Sequence, residues 1–239
     1  MSGLTIECPI KRFSSSGVVE ERQDRIALEY ALSIRVDGHA YCRAVLSPAQ
    51  IKEFTVGLLF SRGLIRGPAD LETIEMDKGL VSVKRFHPAP EDLLDAGKKA
   101  VHGGEGPFIA PGVILEGIKV LADMPVFKTS GCTHSAVIFS ISGKALCLSE
   151  DIARHNSVDK CIGAALLNGI DLSGCWLAVS GRLAEDMVAK AVTAGIPIVA
   201  SISAATSGGA ALGEKSGITT VGFCRDAGFN CYSHPERII

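Results

Sequence analysis

Residues 145–167 read Ala145-Leu146-Cys147-Leu148-Ser149-Glu150-Asp151-Ile152-Ala153-Arg154-His155-Asn156-Ser157-Val158-Asp159-Lys160-Cys161-Ile162-Gly163-Ala164-Ala165-Leu166-Leu167. A short apolar run, a polar cluster and a longer apolar run follow one another. That order predicts a buried strand, a polar mouth and a helix leaving it, the repeating unit of an α/β sheet. In open α/β sheets ligands collect at the carboxyl ends of strands. The cluster also has a plainer reading. Glu150–Arg154, Asp151–His155 and His155–Asp159 are each four apart, so a salt-bridged first helical turn would use the same residues.

The pattern repeats downstream. Strands are expected at 176–179, 197–202 and 218–223, with helices at 183–194 and 207–215 between them. Upstream, 137–141 and 144–148 form a hairpin around Ser142-Gly143, and 152–167 is a helix. This order implies a parallel or mixed sheet covered by helices. The strands end in polar, glycine-rich loops: Ser149-Glu150-Asp151, Ser180-Gly181-Arg182, Ser203-Ala204-Ala205-Thr206-Ser207, and Gly222-Phe223-Cys224-Arg225-Asp226-Ala227-Gly228. Parallel strands would bring all four to one rim. Ser180-Gly181-Arg182 is expected at a helix N-terminus, where free N–H groups and the forked Arg182 guanidinium suit an anion; alternatively Gly181 only makes the turn and Arg182 is solvated.

The first part is β-rich. Residues 27–36 lead into Asp37-Gly38, a hairpin signal, with 41–46 returning. Ser47-Pro48 offers an N-cap and first-turn proline for a helix over 49–61. Two short strands, 71–76 and 80–86, flank Asp77-Lys78-Gly79. From His87 to Gly112, glycine and proline crowd the chain, which predicts a linker with a helix near 91–100 and then an irregular loop; 113–122 is a helix. The division expected is 1–112, a β-rich α+β unit with linker, and 113–239, an α/β unit.

The totals exclude several classes. The 239 residues carry 24 Lys and Arg against 26 Asp and Glu, with 47% hydrophobic and 21% charged residues. No basic run suits nucleic acid, and no apolar stretch approaches the roughly 18 residues of a membrane span. The N-terminal residues lack a signal-peptide pattern, so a cytoplasmic protein with reduced thiols is expected. None of the eight cysteines is spaced Cys-x-x-Cys. Gly208 to Ser216 imitates a phosphate-binding loop, but Glu214 stands where that loop needs lysine. No deaminase zinc signature and no trustworthy metal-ligand spacing occurs. Thr129-Ser130-Gly131-Cys132-Thr133-His134-Ser135 sets a thiol near an imidazole, which makes Cys132 and His134 a candidate nucleophile and its base, or else a buried thiol ahead of a strand.

Taken together these residues resemble the formate dehydrogenase accessory sulfurtransferase (FdhD) family. The likeness rests on Glu150-Asp151-x-x-Arg154-His155-Asn156-x-x-Asp159-Lys160, then Ser180-Gly181-Arg182, Lys190 with Gly195-Ile196-Pro197, and Gly222-Phe223-x-Arg225 with Asn230-x-Tyr232. Gly131-x-Thr133-His134-x-Ala136, Asp37-Gly38 and the Gly57-Leu58-Leu59 helix also fit. The resemblance implies a three-layer, cytidine-deaminase-like C-terminal fold without its zinc, and a homodimer. It further implies sulfur delivery from a cysteine desulfurase to the molybdenum bis(molybdopterin guanine dinucleotide) cofactor of a formate dehydrogenase. Guanine-nucleotide binding would map onto Phe223, Cys224, Arg225, Asp226, Ala227 and Gly228, joined by Ser180, Gly181, Arg182, Asp151, Arg154, His155, Asn156, Asp159 and Lys160. One departure matters. The family carries sulfur on a Cys-Gly-x-Cys-Gly loop, and the matching stretch here, Val101-His102-Gly103-Gly104-Glu105-Gly106-Pro107, has no cysteine. Either Cys132 takes over as carrier or the chain is a cofactor-binding chaperone that has lost transfer. A nucleotide-modifying hydrolase on the same fold would lack any metal set.

Overall fold

In the computed structural model of the chain, residues 3–86 and 106–239 are described. Two antiparallel strands, β1 (Thr5–Phe13) and β2 (Val19–Ala27), form a ribbon of their own. Strands β3 (Tyr30–Val36), β4 (His39–Leu46), β5 (Leu71–Asp77) and β6 (Leu80–Arg85) form a second sheet in the order β4-β3-β6-β5. The turn between β3 and β4 has positive φ at both Asp37 (50°) and Gly38 (83°), the primed geometry that matches strand twist. Helix α1 (Ile51–Ser61) covers this sheet, with Phe54, Val56 and Leu59 packing on Leu32, Ile34, Leu46, Val81 and Val83.

A six-stranded mixed sheet forms the larger layer: β7 (His134–Ser140), β8 (Ala145–Asp151), β9 (Cys175–Val179), β10 (Ile198–Ser201), β11 (Thr219–Arg225) and β12 (Gly228–Ser233), in the order β12-β11-β10-β9-β7-β8. Every residue of β9 is buried, as expected of a strand covered on both faces. Leu177 and Val179 face helices α4 (Arg154–Leu167) and α5 (Glu185–Ala194); Trp176 and Ala178 face helix α2 (Pro111–Lys119). The Trp176 ring stacks on Phe139 with centroids 4.5 Å apart. A Cβ at Gly117 of α2 would come within 2.6 Å of that indole, so the glycine lets the helix reach the sheet. Short helix α3 (Pro125–Ser130) precedes β7, and α6 (Ser207–Ser216) links β10 to β11. No helix among the described residues is long and apolar enough to cross a membrane.

Several expectations need correction. Helix α1 begins at Ile51 after Gln50, not at Ser47-Pro48. The Ser47 backbone is held elsewhere: its N–H donates to Asp151 (3.0 Å) and its carbonyl accepts from Lys160 (2.9 Å). The β1–β2 ribbon gave no alternation signal because most of its residues are exposed and none is buried. The segment Arg225 to Gly228 is not a loop between strand and solvent but the turn into β12, a strand beyond the expected last one. The linker helix near 91–100, and most of the 101–107 loop, lie outside the described residues.

Candidate functional site

Strands β9, β10 and β11 are parallel. Strand β7 is antiparallel to both β9 and β8, so β8 also runs with β9. The carboxyl ends of four strands therefore share one rim, as the sequence suggested, and the β7 N-terminus joins them with His134 opposite Asp151.

Hydrogen bonds latch the rim loops together. The Ser180 hydroxyl accepts from the Ser135 N–H (2.9 Å) and lies 3.1 Å from His134 Nδ1. Ser201 donates to the Gly181 carbonyl (2.7 Å) and accepts from the Ser203 N–H. The Phe223 N–H donates to the Ser203 carbonyl (2.9 Å). Ser180-Gly181-Arg182 does not sit at a helix N-terminus. Leu183 instead bridges to Ala205, and α5 starts only at Glu185. Arg182 is exposed beyond this latch.

Arg154, in the first turn of α4, lies across Gly181; a Cβ there would come 2.9 Å from its Cβ and Cδ. Its Nε is buried and finds no hydrogen-bond partner among the described residues. A buried donor left unpaired beside an open rim fits an anion supplied from outside. Phe223 is in the left-handed region (φ 54°) beside a register shift of β11, with 41% of its surface exposed. Strained backbone and a bulge that re-aims a side chain are both common next to binding sites. Arg225, Asp226 and Ala227 are exposed nearby. The neighbouring Cys224 is 1% exposed, packs in the core against the α2 side, and burial pushes its thiol up to about 11. It leaves the binding set.

The polar cluster at 150–160 divides. None of its three i,i+4 pairs forms. Glu150 accepts the N–H groups of Val126 (3.0 Å) and Phe127 (2.7 Å) and the Thr133 hydroxyl (3.0 Å), tying α3 to β8. Asp151 and Lys160 form a wholly buried pair at 2.6 Å. Asn156 donates to Asp151 and to the Val45 carbonyl, so with Ser47 this group fastens the smaller sheet to the larger one. Burial pulls the Lys160 ammonium below its ordinary value, with Asp151 opposing. Asp159 pairs with Lys190 at 2.6 Å and accepts from Ser61 (2.9 Å). Asp151, Asp159 and Lys160 are each at most 1% exposed; they belong to the frame rather than to a ligand-contacting surface. His155 reaches solvent and pairs with Asp186 at 2.7 Å. Nothing local in the sequence marks Asp186 or Ser61 as partners, since each lies a long way along the chain.

Cys132 is exposed, and its thiol donates to Ser130 Oγ at 3.3 Å. His134 is half-buried with Nδ1 on Ser180. Burial, then the charges of Arg154 and His155, hold its imidazole below the ordinary range. Neither hydrogen bond joins Cys132 to His134. Among the described residues no group of three His, Cys, Asp or Glu could hold a metal.

The chain matches the model of the FdhD/NarQ family over residues 27–106 and 91–239. It is 33% identical to the "Sulfur carrier protein FdhD" of Nocardia farcinica, over 100% of this chain and 96% of the relative. It is 32% identical to the protein of that name from Thermoplasma volcanium, over 100% and 98%. The crystal structure of "a putative formate dehydrogenase accessory protein" from Desulfotalea psychrophila superposes with a TM-score of 0.86 at 26% identity, covering 99% of this chain and 100% of that one. Matched by one family model from residue 27 to its last residue, and by full-length relatives over its whole length, the chain belongs to the FdhD/NarQ family.

Proposed function

We propose that this protein is an accessory factor for formate dehydrogenase that holds the guanine-nucleotide end of a molybdenum cofactor at the rim. The cofactor is cargo, delivered to a client enzyme. The observation that carries this reading is the buried Nε of Arg154, unpartnered among the described residues, at a rim that also presents Arg182, Arg225 and the exposed Phe223 ring. Guanidinium forks suit a diphosphate, and an aromatic face suits a stacked base. Latched loops supply a pre-formed floor. The names of the relatives, sulfur carrier protein and formate dehydrogenase accessory protein, support the accessory role alone; cofactor binding, a homodimer and a cysteine desulfurase partner complete the reading as proposed.

Calorimetry with GDP tests it. Saturable binding is expected for the wild type, weakened at least tenfold by Arg154→Ala, Arg182→Ala or Arg225→Ala. Absence of heat with the wild type, or wild-type heat from all three variants, contradicts the proposal.

A second reading, a cofactor chaperone without sulfur transfer, is favoured by one observation: residues 101–107 contain no cysteine. Cys132, exposed on a segment tethered by Glu150, is the thiol best placed to substitute. Intact-mass measurement after incubation with a cysteine desulfurase and cysteine separates the two. A gain of one sulfur, lost in Cys132→Ser, supports transfer; an unchanged mass supports the chaperone.

A further inference from the structure

A cleft of about 460 Å³ opens between β4, α1 and the N-terminal halves of α4 and α5. Clefts between packed units are common ligand sites. Its carboxylates are already committed: Asp159 to Lys190 and Ser61, Asp186 to His155. Two arginines line the same space, Arg43 from β4 and Arg62 from the end of α1, and neither makes an ion pair or a side-chain hydrogen bond to another described residue. The lining thus holds three permanent cations, Arg43, Arg62 and Lys190, against two carboxylates, Asp159 and Asp186. The count leaves a net of one positive charge, and the two arginines are the cations of the lining that no carboxylate pairs with among the described residues. Burial raises the Cys42 thiol and the Tyr41 phenol, and the charge of Arg62 opposes it at both. Arg62 therefore stands within electrostatic reach of the β4 wall. Phe54 and Leu58 add apolar wall, giving room for more than a bare ion.

We propose that this cleft is a second ligand site, taking a small organic oxyanion whose phosphate or carboxylate head lies against Arg62 and Arg43. The apolar walls would receive its organic body. The cleft lining does not include Arg154, Arg182, Phe223 or Arg225, and neither reading requires the other.

Calorimetry on the full chain with phenyl phosphate and with benzoate, at ionic strength fixed by sodium chloride, tests this and separates the two head groups. Saturable heat is expected from at least one probe. Arg62→Ala should weaken it tenfold or more and Arg62→Lys by less, while Lys84→Ala, outside both the cleft and the rim, leaves it unchanged. The same probe should slow iodoacetamide alkylation of Cys42 in the wild type, a readout needing no variant. Absence of heat with both probes, wild-type binding by Arg62→Ala, or a loss that follows Lys84→Ala instead would overturn the proposal.

Discussion

His134 reports the electrostatics of the rim. Its imidazole is half-buried, hydrogen-bonded to Ser180, and faces the positive charge of Arg154. Burial and that charge both disfavour the protonated form, so its folded pKa lies below 6.5. Its contribution to stability is therefore complete above 6.5 and is lost as pH falls from there through the folded pKa, where the unfolded chain binds the proton first. A diphosphate on Arg154 would cancel part of the repulsion. NMR titration of the ring should give a pKa below 6.5 in the free protein and a higher one with GDP bound. A value that GDP leaves unmoved would separate His134 and Arg154 from the ligand. The sequence singled out His134 as a candidate, but its partner was not legible. It set the imidazole beside Cys132 because they are two apart, whereas the fold turns it to Ser180, 46 positions along the chain.

Among the elements, α1 and α4 make the closest crossing. A Cβ on Gly57 would run into the Asp159 carbonyl, and one on Gly163 into the Glu53 carbonyl. Both obstacles are backbone, so no side-chain rotation relieves them. Overpacking of a well-filled interface costs typically 1–3 kcal/mol. Gly57→Ala and Gly163→Ala should each reach the upper end of that range, about 3 kcal/mol, in urea unfolding; a loss under about 0.5 kcal/mol would show that the helices can part. The apolar spacing of Phe54 and Leu59 made α1 legible, and Asp37-Gly38 fixed its preceding hairpin. Its start was not legible, because Ser47 serves a buried ion pair 104 and 113 residues away instead of capping the helix. Helix α3 escaped notice for the same kind of reason: six residues long, it is held by Glu150 from another strand.

Across the whole molecule, the larger sheet was readable because strand and helix alternate with two clear periods from 134 to 225. Its direction of assembly put four polar loops on one rim, and the topology agrees. What the chain order could not show was which polar residues of 150–160 face a ligand. Asp151 and Lys160 look like site residues in one dimension and are interior fasteners in three, while Arg154, four positions after Glu150, is left facing the rim with no partner for its Nε among the described residues. The central claim is that this rim receives a guanine nucleotide. A crystal structure of the protein soaked with GDP tests it most directly. The account predicts the diphosphate against Arg154 and Arg182 and the base against Phe223. GDP bound elsewhere, or a rim left bare at saturating nucleotide, would contradict it.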